Sequence, residues 1–219
     1  MWFHNYIVRN CEYNCEAIND NVNINSAYSN EGEFLEGKAV CQGIAMAYRC
    51  LCNKIGVEAI VARGNSLKPG DKNYERHAWN IVKVGDAAIH VDITWDMCLT
   101  KDKEPIRYDY YFLPDIEMMR DHQYVKYPIC RNREISMFHY THTFFNSIEE
   151  LKDYIDTEEK DINKKEFFLQ FKMKNRKESK NEVRSILSDY IIAKVNKSFT
   201  YSYSINEAQS VFMFHFICK

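Results

Sequence analysis

The sequence predicts an α+β fold: a helix packed on an antiparallel sheet, followed by a small α+β appendage. Three observations carry that expectation. Val40, Ile44, Tyr48, Leu51 and Ile55 are apolar at helical spacing. Three runs rich in Val and Ile follow, VEAIVARG, HAWNIVKV and AAIHVDIT, with Gly85-Asp86 between the second and third as a turn. Near Asn146 the character of the chain changes, so the expected division is residues 1–146 as one unit and 147–219 as the appendage.

Taken in order, Trp2, Phe3, Tyr6, Ile7 and Cys11 have helical spacing and predict a first helix. Residues 18–37 are rich in Asn and Ser without sustained periodicity, which predicts a long loop. The helix that starts near Cys41 is expected to end at Gly56, with Lys54 in its last turn. Past Trp95 the chain turns aromatic and charged (RYDYYFLPDIEMMRDHQ, then MFHYTHTFF). In the appendage, SIEELKDYI reads as a short helix, KEFFLQFKM as a strand, and NEVRSILSDYIIAKV as a longer helix. SFTYSYSI and SVFMFHFI read as a closing hairpin, and KMKNRKESK as a solvated loop.

Composition narrows the function classes. The 219 residues are 46% hydrophobic and 27% charged, enough to bury a sizeable core. A formal net charge of -2 gives no basic footprint for nucleic acid. No apolar run reaches membrane-spanning length, so neither nucleic acid nor a membrane is an expected partner. The start, MWFHNYIVRN, lacks the parts of a signal peptide. A cytoplasmic setting is expected, while a removed leader would make the protein secreted. Eight cysteines are too sparse for a disulfide scaffold and are expected to be mostly reduced and buried.

Among those cysteines, Cys41 stands apart because it opens a helix. Helix N-termini carry unpaired amides and partial positive charge, which favours the nucleophilic thiolate. A thiolate nucleophile needs a base, and the base needs an orienting group. A two-residue turn at Gly85-Asp86 sets Asp92 across from Trp79 and His77 across from Thr94. His77 and Asp92 then share a face as diagonal neighbours, whereas a one-residue slip separates them. The competing reading is plain packing: a packed Cys, a polar edge His and an Asp that caps a loop. An Asp inside IHVDIT is costly without a partner, however, and His77 is the available one.

VCQGIAMAY, RHAWNIVKV and HVDITWD resemble the three signature blocks of the transglutaminase-like superfamily, particularly its bacterial members. The resemblance covers roughly residues 1–125 and extends to YDYYFLPDIEMMRDH. It implies a papain-like catalytic core with Cys41, His77 and Asp92 as nucleophile, base and orienting carboxylate. Two positions depart from the family pattern: Ala88 stands where relatives often have an aromatic residue, and Ile44 where they often have Tyr.

The implied chemistry is attack by Cys41 on a peptide or carboxamide carbonyl, giving a thioester. Resolution by water makes a cysteine protease or amidase, the favoured outcome, and resolution by an amine makes a transglutaminase. A module that binds peptide or cell-wall fragments without catalysis is the other class. The expected partner is a peptide or protein substrate, and no cofactor is expected. Trp79 and Trp95 are candidate groove walls for substrate, or simply core. The polar loop GNSLKPGDKNYER is expected to border the groove. Cys11 and Cys15, Cys50 and Cys52, and His139 and His142 are weak metal-ligand pairs, so no metal is expected. Nor is there an acidic loop of EF-hand type for calcium.

Overall fold

A computed structural model describes residues 1–19, 25–67, 72–124, 128–157, 165–174, 180–195 and 199–218. The chain divides into two compact units, Met1–Met137 and Phe138–Lys219.

The first unit is built on a five-stranded antiparallel sheet. Its strands are β3 (Ala59–Ser66), β4 (Glu75–Val84), β5 (Ala87–Val91), β6 (Tyr111–Leu113) and β7 (His122–Tyr124). Their order in space is β6-β5-β4-β3-β7. The β4–β5 hairpin has the predicted register, with Val84 opposite Ala87 and Asn80 opposite Val91. Gly85 supplies φ 59° at the first turn position, a conformation that favours glycine.

Helices cover the sheet. α1 (Trp2–Asn10) packs on α3 (Cys41–Lys54) and on α4 (Ile93–Leu99), and α3 packs on β3 and β4. The sequence places α3 well: its buried side includes Ile44, Ala47, Tyr48 and Cys52, and Gly56 follows it at φ 79°. One core gathers Ile7, Val8, Ile44, Tyr48, Val82 and Val91, and another gathers Trp79, Ile81, Trp95, Tyr110 and Leu113. α5 (Asp115–Met118) follows β6, and α6 comprises Met137–Tyr140.

Two expectations change. The predicted loop at 18–37 contains ordered turns: the end of α2 (Glu16–Asn19), a 3-10 turn at Asn25–Tyr28 and a π-helical turn at Gly32–Glu36. Close backbone packing there replaces the side-chain periodicity that a longer helix displays. After it, β2 (Lys38–Ala39) pairs in parallel with β1 (Glu12–Tyr13), directly before Cys41. The run AAIHVDIT is also not one strand. It stops at Val91, and Asp92 is the N-cap of α4, where its side chain accepts the backbone N–H of Trp95.

The second unit has a four-stranded sheet in the order β10-β11-β9-β8. Its strands are β8 (Phe144–Phe145), β9 (Glu166–Met173), β10 (Phe199–Asn206) and β11 (Val211–Cys218), with helices α7 (Ile148–Thr157) and α8 (Lys180–Val195). The predicted closing hairpin is β10–β11, and β9 pairs antiparallel on its other side. Phe171, Phe212, Phe214 and Phe216 form the core with Leu151, Ile155, Leu187 and Ile191. Most of KMKNRKESK lies outside the described residues.

Within the π-helical turn, Glu33 is 4% exposed and its Oε2 has no hydrogen-bond partner among the described residues. Burial raises this carboxyl from 4.5 to about 7. The fold therefore favours the protonated acid, and that contribution is lost as pH rises from the unfolded value through the folded one. Glu33→Gln removes this dependence. In thermal unfolding, the variant should gain on the parent protein as pH moves from 5 to 8; a difference independent of pH counts against the assignment.

Candidate active site

Cys41 is the first residue of α3, behind an extended Val40, and no side chain caps the helix start. Its thiol is hydrogen-bonded to the His77 side chain and accepts the backbone N–H of Ala78. Burial pushes the thiol up, but the His77 hydrogen bond and charge, with the Ala78 N–H, bring it below the ordinary thiol value.

His77 lies in β4 and directs Nε2 to Asp92 Oδ2 at 2.6 Å. That leaves Nδ1 as the ring nitrogen for the thiol. Burial lowers the His77 pKa, yet the Asp92 charge and the hydrogen bonds from Asp92 and Cys41 outweigh it and raise the group to about 10. Asp92 is 0% exposed. Burial pushes its carboxyl up, and the adjacent His77 and His122 more than reverse that, holding it well below the usual carboxylate range. The predicted face-sharing of His77 and Asp92 thus becomes a direct contact, and the structure brings Cys41, His77 and Asp92 together.

The remaining motif residues have structural work. Asn80 donates through Nδ2 to Ala45 O in α3 at 2.9 Å and to Ile60 O at 3.1 Å, which ties the Cys41 helix to the sheet. Asp96 accepts the Tyr110 backbone N–H at 2.9 Å and contacts His4 Nε2 at 3.0 Å. Burial raises the Asp96 carboxyl and lowers the His4 imidazole to about 4, so the contact is a neutral hydrogen bond that anchors α1 to α4.

Trp79 and Trp95 are not groove walls. They are 1% and 7% exposed and belong to the core. Alternation places Trp79 on the same side of β4 as His77, where its ring lies 5.9 Å from the imidazole at 19°. Trp95 meets His77 edge-on at 6.2 Å. They shield the imidazole.

The cleft that holds Cys41 has a volume of about 1010 Å³. Tyr13, Ile18, Tyr28 and Gln42 line it together with Arg63, Asn65, Glu75 and Arg76. The last four come from β3 and β4 beside the loop expected to border the groove; residues 68–71 of that loop lie outside the described residues. Tyr13 lines the cleft beside Cys41, and burial and the neighbouring thiol push its phenol up.

Sequence reasoning missed Tyr13 and His122. His122 Nε2 lies 3.0 Å from Asp92 Oδ2, and Nδ1 lies 2.6 Å from Asp121 Oδ1. The available signal was the acid–His pair in MRDHQ. Its strand, β7, reaches the site by pairing with Gly64, Asn65 and Ser66.

The cysteines divide more evenly than expected: Cys11, Cys52 and Cys130 are buried, Cys41 and Cys50 half-buried, and Cys15 and Cys98 exposed, all as free thiols. None of the three sequence-proposed metal pairs falls in the two ligand-type clusters among the described residues, His77–Asp92–His122 and His90–Asp115–Cys130. In both clusters the ligand-type atoms are also engaged in hydrogen bonds with one another. His90 Nδ1 accepts the Trp79 indole N–H at 3.0 Å, so Nε2 carries the proton and donates to Asp115 Oδ1 at 2.9 Å.

A family model described as "Transglutaminase-like superfamily" matches residues 2–93. Over those residues the chain is similar to that superfamily. A solved structure described as "Crystal structure of a TGase" is similar at 20% identity, with a TM-score of 0.38, over 48% of this chain and 28% of that one. This chain therefore spans well under half the length of that structure. No curated protein matches it. Among the described residues, no helix is long and apolar enough to cross a membrane.

Gly64 makes the approach of β7 possible. A Cβ there would lie 2.0 Å from Gln123 O and 2.9 Å from the Trp79 ring. Gly64→Ala should destabilise the fold by about 1–3 kcal/mol or more, because backbone must move to admit the methyl. An unchanged melting temperature would show that the β3–β7 contact is not tight.

Proposed function

We propose that the protein is a thiol-dependent acyl-transfer enzyme that hydrolyses a peptide or carboxamide bond. The observation that carries this reading is the alignment of Cys41 and His77 in one cleft with His77 bonded to Asp92 at 2.6 Å, the thiol lowered and the imidazole raised. The order of nucleophile, imidazole and carboxylate is that of a papain-like triad, built from a helix start and an antiparallel hairpin.

Cys41 attacks the carbonyl carbon as thiolate, and the carbonyl π electrons move to oxygen. The Cys41 backbone N–H, at the open end of α3, donates to that oxyanion. The Tyr13 hydroxyl, which lines the same cleft, is a second donor candidate for that atom. His77, charged in the resting pair, protonates the leaving nitrogen as the C–N bond breaks, which leaves a thioester and a neutral imidazole. Water then attacks the thioester carbonyl while His77 accepts its proton. Loss of the Cys41 thiolate releases the acid and restores the ion pair. Asp92 keeps its contact with Nε2 throughout, so Nδ1 is the nitrogen that exchanges protons.

Water is the acceptor we favour because exposed Cys15, Ile18, Tyr28, Glu75 and Arg76 border the cleft and leave it open to solvent. Aminolysis by a lysine-like amine would use the same thioester.

Limiting iodoacetamide across pH 5–9, mapped by mass spectrometry, tests the nucleophile. Cys41 should label fastest below pH 7, ahead of exposed Cys15 and Cys98. His77→Ala should move its profile up toward an ordinary thiol and slow labelling at pH 6 by at least about tenfold. Equal labelling of Cys41, Cys15 and Cys98 would sink the reading. Acyl-enzyme that turns over in water without added amine supports hydrolysis; strict dependence on an amine makes the protein a transglutaminase.

A further inference from the structure

We propose that His122 and Asp121 are a positioning pair for Asp92, extending the triad into a buried series Cys41–His77–Asp92–His122–Asp121. The inference deepens the acyl-transfer reading and rests on it. Asp92 Oδ2 accepts from two imidazoles at once, His77 Nε2 at 2.6 Å and His122 Nε2 at 3.0 Å. Its other oxygen, Oδ1, accepts the Trp95 N–H at 3.2 Å. The carboxylate is therefore fixed from three directions, and its plane cannot turn without losing a contact.

The far side of His122 is equally determined. Nδ1 lies 2.6 Å from Asp121 Oδ1, while Asp121 Oδ2 accepts the Tyr110 hydroxyl at 2.6 Å. The ring thus bridges two carboxyl groups, Asp92 at Nε2 and Asp121 at Nδ1. His122 is 0% exposed, and ring contacts with Trp79, Trp95 and Tyr110 at 5.1, 5.5 and 5.6 Å hold it in place.

Asp92 Oδ2 divides its accepting capacity between two imidazoles, so it orients His77 without holding the His77 proton as tightly as an isolated pair would. That suits a group that must release a proton to a leaving nitrogen and take one from water. Backbone pairing sets the geometry, because Ser66 lies opposite His122 and the Leu67 N–H donates to Asp121 O at 2.8 Å.

The test is the pH profile of Cys41 alkylation in the full chain, read beside thermal unfolding. His122→Ala should slow Cys41 labelling at pH 6 by about tenfold, the loss of thiolate that a rise of about one pKa unit in the thiol brings. Labelling of Cys15 and Cys98 should not change. His122→Gln, whose amide N–H can still reach Asp92, should recover most of that rate. Asp121→Asn, which leaves His122 in place, should slow Cys41 labelling about threefold and keeps the proposal testable if the alanine variant does not fold. A parental Cys41 profile in folded His122→Ala, or in Asp121→Asn, overturns the positioning role while leaving the triad reading intact. A parental protein in which Cys41 labels no faster than Cys15 overturns both.

Discussion

Asp92 is the constraint on which the rest of the first unit depends. An ionised carboxylate with no exposure loses several kcal/mol of hydration, and only close donors offset the loss. Three elements supply them: β4 brings His77, the first turn of α4 brings the Trp95 N–H, and β7 brings His122. The hairpin register, the start of α4 and the β3–β7 pairing must therefore all be correct for the charge to be tolerated. Loss of one partner leaves a buried charge under-satisfied, so the fold and the site fail or stand together.

Trp79 separates two proton networks that lie close together. One face of its ring lies near His77 and its edge near His122, while its indole N–H fixes the tautomer of His90. His90 then gives its proton to Asp115, which also accepts the Tyr124 hydroxyl and the Cys130 backbone N–H. Every strong donor in that second cluster is committed. His77 and His90 are thus shifted in opposite directions because their immediate neighbours differ.

What the sequence made legible is what local rules determine. The β4–β5 register follows from a two-residue turn, and once it is set, His77 and Asp92 must share a face. The period of α3 and the position of Cys41 at its start follow from apolar spacing. His122 escaped because β7 is three residues long, too short for alternation, and pairs with a strand more than fifty residues earlier in the chain. Asp92 looked like a strand residue because Ile93 and Thr94 continue the β-branched pattern; its capping bond to Trp95 ends the strand instead. Trp79 and Trp95 were ambiguous for another reason. A tryptophan beside a catalytic-type residue can be a groove wall or part of the core, and only burial distinguishes them.

The cysteines show how far position, rather than residue type, decides reactivity. Burial pushes Cys11 and Cys130 up to about 12 and also raises Cys52. The same desolvation acts on Cys41, and there it loses. The difference is a cation: His77 stands beside Cys41, whereas Cys11 has Glu33 near it and Cys130 has Asp115. A helix start alone would not reverse the sign, since its effect at exposed sites is about 0.3–1 kcal/mol, less than one pKa unit. His77 can act as that cation in a dry core only because Asp92 is ionised beside it, and Asp92 stays ionised only because further donors hold it. Cys41 activation is therefore a property of the whole buried series, and that is why one thiol differs from its neighbours.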